Sequence, residues 1–200
     1  MSNFSSPLNR LPKLQERGHS LEHISFETLG VDHLGTRVRE DMLNLILESD
    51  VEQHADAKGN NTRYSRHRIL NPSFKDSRYI VARDTIKKER DHSPIIGMGA
   101  LSADIDDKTT AILTSFVVSP SYQGRGIGRF LLAEAVKSAH LAGYSRIRLE
   151  TNGQSDEHAA SLYLNNGFKV VPASAFASEI PADRQVYELA FAPTELGLKQ

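Results

Sequence analysis

Two hundred residues with 39% apolar and 24% charged content have the composition of a soluble globular protein, and a chain of that length buries ~70% of its extended surface. A formal net charge of −1 gives no global attraction to nucleic acid or to an acidic membrane, and no apolar run approaches the ~20 residues of a membrane span. The absence of cysteine excludes disulfides, thiolate metal sites and thiol nucleophiles, so the expectation is a cytoplasmic enzyme with neither membrane nor nucleic-acid partner.

Residues 1–20 are polar, carry Pro7, Pro12 and Gly18, and lack the apolar stretch of a signal peptide; they read as a disordered or loosely ordered arm. A single domain is expected over 21–192, with a tail over 193–200. Residues 21–29 read as a first strand, with Ile24, Phe26 and Thr28 on one face. Leu34, Val38, Met42, Leu45, Ile46 and Ser49 recur at helical spacing and predict an amphipathic helix over about 32–49. Residues 51–77 form a polar connection with a short helical piece near 64–70. Two strands, 79–82 and 94–103, make a hairpin whose charged turn contains the solvated tip Lys87-Lys88-Glu89-Arg90-Asp91. His19 and His23 are four apart but have no third ligand near them, so no metal site is expected.

The rest of the chain is organised around residues 109–151. They read as an apolar strand (110–118), a turn (119–122), a glycine loop, a helix (about 128–142) and a further strand (146–151). The loop is Gln123-Gly124-Arg125-Gly126-Ile127-Gly128. Where a strand hands over to a helix, unpaired N–H groups and the helix dipole converge on one spot, and glycines let a bulky anion approach the backbone. Spacing argues against two kinds of phosphate loop. No Gly-Lys-Ser or Gly-Lys-Thr follows the glycines, and a dinucleotide fold would carry its loop after the first strand, not after more than 100 residues. Ile127, Leu131, Leu132, Ala135, Val136 and Ala139 form a helix stripe that must pack on a sheet, and Gly143 ends that helix. Ser155 or Asp156 caps a short helix running to Asn165, with Gly167 as its stop; strands at 168–171 and 185–191 close the fold.

Gln123-x-x-Gly126-x-Gly128, preceded by Val117-Val118-x-Pro120 and followed by Phe130-Leu131-Leu132, resembles the acetyl-CoA signature of the GNAT superfamily of N-acetyltransferases. Ala159-x-x-Leu162-Tyr163-x-x-x-Gly167-Phe168 resembles that superfamily's second signature, in the expected order and spacing. The resemblance covers about residues 22–192 and is strongest over 112–168. It implies an α/β fold: a mixed, twisted, mostly antiparallel sheet of about six to seven strands, splayed at the central strand, with helices on both faces.

The same resemblance implies acetyl-CoA as cosubstrate and direct attack of a primary amine on the thioester, without an acyl-enzyme. Carried onto this chain, the backbones of Phe116, Val117 and Val118 would pair with the pantetheine arm and acetyl group. Gly124, Arg125, Gly126, Ile127, Gly128 and Arg129 would hold the pyrophosphate, and the Gln123 side chain would brace the loop. Asp156 stands where many relatives have a cofactor-contacting asparagine, with Asn152 as its substitute. Tyr163 would be the general acid for the leaving thiolate. Some relatives carry a glutamate eleven residues before the glutamine; Ile112 occupies that place here, leaving Glu150, Glu157, His158 or ordered water as the base. The acceptor is expected to be a small-molecule amine, and Arg63, Arg66 and Arg68 either meet an acceptor carboxylate or form a basic solvated loop. A non-catalytic acyl-CoA-binding module and a protein N-acetyltransferase are the alternatives, and a homodimer is allowed.

Overall fold

The alternating and β-branched runs of the chain form seven strands that hydrogen-bond into one sheet: β1 (Ile24–Gly30), β2 (Arg78–Asp84), β3 (Ile95–Ala103), β4 (Thr110–Val118), β5 (Arg146–Asn152), β6 (Lys169–Val171) and β7 (Arg184–Ala190). Their order across the sheet is β1-β2-β3-β4-β5-β7-β6. The β1/β2, β2/β3, β5/β7 and β6/β7 pairs are antiparallel. Three α-helices accompany them among the described residues: α1 (Thr36–Gln53), α2 (Ile127–Leu141) and α3 (Glu157–Asn165). This is the mixed, mostly antiparallel α/β architecture expected from the motifs. The computed structural model describes residues 21–53, 77–87, 93–152, 157–172 and 184–191, with backbone alone at 50–53 and 152. The N-terminal arm, the helical piece near 64–70, the hairpin tip beyond Lys87 and the tail over 193–200 lie outside the described residues.

The chain divides into two compact units. One contains Leu113–Ala135 together with β1, α1, β2 and β3 as far as Ser102; the other contains Ala103–Ile112 and the chain from Val136 onward.

In the first unit, the helical stripe read from the sequence is the buried face of α1. Leu34, Met42, Leu45 and Ile46 pack against Tyr79, Val81, Ile95, Met98 and Ala100. Each leucine, isoleucine, valine or methionine among them contributes ~1.5–3 kcal/mol by leaving water. The helix itself starts later than its periodicity suggests. Val31–His33 form a 3-10 turn, Leu34 departs from helical angles at φ −84° and ψ 75°, and the α-helical bonds begin with Arg39 N–H donating to the Gly35 carbonyl. A register irregularity between Ala82 and Arg83 kinks the β2/β3 pair near its end. Met98 and Ala100 face α1, whereas Gly97 faces Ile127 and Leu131 of α2. Helices therefore cover both faces of this part of the sheet.

In the second unit, Ile147 and Leu149 of β5 are buried, as are Val186, Tyr187 and Leu189 of β7. Arg148 bonds Glu188 through Nε and Nη2 at 3.1 and 2.8 Å, and reaches Asp104 at 3.4 Å. Helix α3 ends in a reversal in which Phe168 N–H donates to the Tyr163 carbonyl and Gly167 N–H to that of Leu164. No described helix is long and apolar enough to cross a membrane.

Candidate active site

Strand β4 does not alternate regularly. Ser115, in its interior, has φ +51°, the left-handed region that costs a residue with a Cβ of order 1 kcal/mol or more. The consequence is visible one strand away. A Cβ built on Gly99 would lie 3.2 Å from Leu113 Cδ1 and 3.1 Å from Phe116 Cδ2, so residues three apart in β4 meet the same face of β3. A regular strand would send Leu113 and Phe116 to opposite faces. Ser115 thus behaves as a bulge that resets the pleat just before Phe116, Val117 and Val118, the backbone assigned to the pantetheine arm.

Beyond Val118 the chain turns sharply. Ser119 N–H donates to the Ile96 carbonyl at 2.8 Å, and its hydroxyl reaches Ser121 Oγ at 3.1 Å and Glu48 Oε1 at 3.4 Å. Pro120–Tyr122 form one 3-10 turn. Gln123 then donates from Nε2 to the Val118 carbonyl at 3.1 Å, which braces the loop against the end of β4.

Gly124 and Gly126 have φ of +72° and +86° on either side of Arg125, and nothing lies within 4 Å of a Cβ built on either. Alternating left-handed residues turn successive N–H groups toward a common side, the geometry of an anion cradle. Among the described residues, the N–H groups of Gly124, Arg125, Gly126, Ile127, Gly128 and Arg129 meet no hydrogen-bond acceptor, and the first bond of this turn is Phe130 N–H to the Gly126 carbonyl. Unpaired donors, open space and the exposed Arg125 and Arg129 side chains fit a diphosphate. Helix α2 supports the cradle from beneath: Ile127 and Leu131 are buried, and Phe130 lies 5.5 Å from Phe26, ring to ring.

Arg125 itself folds back onto the turn. Its Nη2 donates to the Ser121 carbonyl at 2.8 Å and its guanidinium centre lies 5.0 Å from the Tyr122 ring centroid. The Tyr122 hydroxyl in turn donates to Asp84 Oδ2 at 2.8 Å, while Asp84 Oδ1 accepts from Ile86 and Lys87 N–H at 3.0 Å each. Burial, and then the Asp84 contact, push the Tyr122 phenol above its ordinary value. Burial alone would raise the Asp84 carboxyl, but bonds from Lys87 N–H, the Tyr122 hydroxyl and Ile86 N–H leave it below its ordinary value. Nothing in the sequence pairs Asp84 with Tyr122, which lie 38 residues apart.

Tyr163 belongs to the second unit, where it is 4% exposed and held between aromatic rings, 5.3 Å from Tyr187 and 5.9 Å from Phe168. Glu150 is an exposed residue of β5 opposite Val186; Glu157 and His158 are exposed in the first turn of α3. Asn152 ends β5 opposite Arg184, and its side chain lies outside the described residues, as do Asp156, Arg63, Arg66 and Arg68. Among the described residues no group of three or more His, Asp or Glu could hold a metal ion.

A bulged central strand thus runs through a tight turn into a glycine loop whose open backbone donors lie at a helix N-terminus. The model of the acetyltransferase (GNAT) family matches residues 40–168, and the chain belongs to that family. It is an acyltransferase, and acetyl-CoA is the acetyl donor. The fold is shared with an acetyltransferase from Streptococcus agalactiae (TM-score 0.67, 19% identity, covering 85% of this chain and 99% of that one). A GNAT-family acetyltransferase from Staphylococcus aureus superposes with TM-score 0.65 at 18% identity, over 84% of this chain and 100% of that one. PaiA N-acetyltransferase from Thermoplasma acidophilum, solved in complex with coenzyme A, gives 0.61 at 20% identity, over 84% of this chain and 99% of its own. No curated protein matches the chain in sequence.

Proposed function

We propose that this protein transfers the acetyl group of acetyl-CoA to a primary amine of a small molecule. The observation that carries the cosubstrate half is the cradle of Gly124 to Arg129, whose six backbone N–H groups meet no acceptor among the described residues. In this reading they bind the diphosphate, with Arg129 adding charge, while the backbones of Phe116, Val117 and Val118 orient the pantetheine arm as an added strand would be oriented. By their places in the motif, Asp156, or Asn152 as its substitute, would add a further contact to the cosubstrate.

Acetyl-CoA supplies an activated acetyl group: its carbon–sulfur bond is exchanged for a carbon–nitrogen bond to the acceptor. Tyr163 donates its phenolic proton to the departing sulfur, a role worth ~10²–10⁴-fold in rate, and is restored by the proton lost from the amine through solvent. Support for that role is the position of Tyr163 in the Ala159–Phe168 motif and its enclosure by Tyr187 and Phe168, which fixes its ring. The rest of the acceleration comes from holding the two reactants together.

The test is thiol release from acetyl-CoA across a panel of small primary amines and of peptides. Turnover with a small amine and not with peptides supports the reading. Turnover with peptides alone moves the acceptor to proteins. Acetyl-CoA binding without turnover on either, unchanged in Tyr163→Phe, favours a binding module.

A further inference from the structure

The loop that receives the diphosphate is poorly restrained by its own backbone. Gly124 and Gly126 flank Arg125, and both have open space where a side chain would sit. Glycine loses more conformational freedom on ordering than any other residue, so a loop of this kind weakens binding unless something orders it beforehand. The Arg125 side chain, lying between the two glycines, does so. One of its N–H groups is spent on the Ser121 carbonyl and its guanidinium centre lies over the Tyr122 ring, 5.0 Å from the centroid, both within the turn that leads into the loop.

Tyr122 is in turn fixed from outside the turn. Its hydroxyl donates to Asp84, a carboxylate only 6% exposed at the end of β2 that also accepts two backbone N–H bonds. Three donors set the orientation of that carboxylate. A phenol that donates to a carboxylate becomes richer in electrons over its ring, which strengthens the attraction of a guanidinium above it. Packing alone would require only a phenyl ring; the hydroxyl is accounted for by the bond to Asp84.

We propose that Asp84 and Tyr122 are positioning residues for acetyl-CoA, which act through Arg125 to hold the glycine loop in the conformation that receives the diphosphate. The inference rests on the diphosphate reading of that loop. It also assigns Arg125 a different task from a simple phosphate cation: its first role is to hold the loop.

The test is calorimetric titration of the full chain with CoA and, separately, with pantetheine, which lacks the diphosphate. Tyr122→Phe, Asp84→Asn and Arg125→Met are each expected to weaken CoA about fivefold, a cation–π-sized effect. The Tyr122→Phe/Arg125→Met double variant is expected to be no weaker than Arg125→Met alone, because both act through one contact. Arg125→Lys keeps the charge but not the forked donors that let one group bond the Ser121 carbonyl while the guanidinium centre stays over Tyr122, so it is expected to fall between wild type and Arg125→Met. Pantetheine binding should stay near wild type, and the unliganded Tyr122→Phe protein should remain folded with a melting temperature lower by only a few degrees, the cost of one hydrogen bond to the Asp84 carboxylate. CoA binding to Tyr122→Phe at wild-type strength, losses that multiply in the double variant, or equal weakening of CoA and pantetheine would each overturn the proposal while leaving the diphosphate reading intact. If instead the wild type binds no CoA, or Gly126→Glu binds it normally, the diphosphate reading itself falls and takes this inference with it.

Discussion

Gln123 reaches back over the turn to Val118, its side-chain amide donating to the last carbonyl of β4 at 3.1 Å. The bond spans the 3-10 turn of Pro120–Tyr122 and joins the strand's end to the first residue of the loop. Because Gln123 is exposed, the bond adds less than ~1 kcal/mol to stability, but it limits where the following N–H groups can point. Gln123→Ala is therefore expected to leave the unfolding midpoint nearly unchanged and to weaken CoA several-fold. Denaturant unfolding and calorimetry on the same preparation check both halves.

Gly97 sets the depth at which α2 seats. A Cβ there would stand 2.8 Å from Leu131 Cδ1 and 3.4 Å from both Ile127 Cγ2 and the Val117 carbonyl. Leu131 is fully buried and has little room to give. Gly97→Ala should cost about 1 kcal/mol and Gly97→Val about 3 kcal/mol, by overpacking. Since α2 carries the loop at its N-terminus, both variants should also lose CoA affinity, in the same order. Equal stability of the two variants would show that the helix can shift without cost.

Tyr163→Phe separates chemistry from packing. The ring contacts with Tyr187 and Phe168 survive in the phenylalanine variant, whereas the proton donor does not. A fall of ~10²–10⁴-fold in kcat with unchanged CoA affinity is the expected outcome in steady-state kinetics. Full activity in the variant would reduce Tyr163 to a helix anchor.

Acid should loosen the turn before β4. Bonds from the Thr109 hydroxyl, the Thr110 hydroxyl and Thr109 N–H hold the Asp107 carboxyl down at about 2. A native-state value below the unfolded one of 3.8 adds stability above about pH 4, and that stability is lost as the pH falls through 2. Solvent screening limits the contribution to roughly 1 kcal/mol. Asp107→Asn should therefore lower stability by about that amount at pH 7 and flatten the acid limb between pH 4 and 2, as read by urea titrations across that range.

The sheet and the loop were legible because their signals are local. The apolar run from Thr110 to Val118, the glycines after it and the helix stripe from Ile127 to Ala139 each follow one periodicity or turn rule, and the observed elements fall within a residue of that reading. The onset of α1 was not, since Leu34 belongs to the buried stripe yet precedes the helix, leaving helical angles before Gly35. The Ser115 bulge gives no signal either. Serine is unremarkable in a strand, and a left-handed residue is revealed only when Leu113 and Phe116 meet the same glycine of β3. In the Asp84–Tyr122–Arg125 chain, Asp84 is joined by tertiary contact to a turn 38 residues away, and Arg125 looks from its position alone like any exposed cation near a phosphate loop.

The most direct test of the account is CoA binding to Gly126→Glu beside wild type, followed by calorimetry and thermal unfolding. Gly126 has φ +86° and open space around it, so a glutamate there costs about 1–2 kcal/mol of backbone strain, a few degrees in Tm, and brings a carboxylate to the loop. If Gly124 to Arg129 hold the diphosphate, CoA binds the wild type, stabilising it by RT ln(1 + [L]/Kd), and binding to the folded variant falls by about a hundredfold or more. Undiminished CoA binding by a folded Gly126→Glu protein would contradict the account, because the cosubstrate would then be held elsewhere.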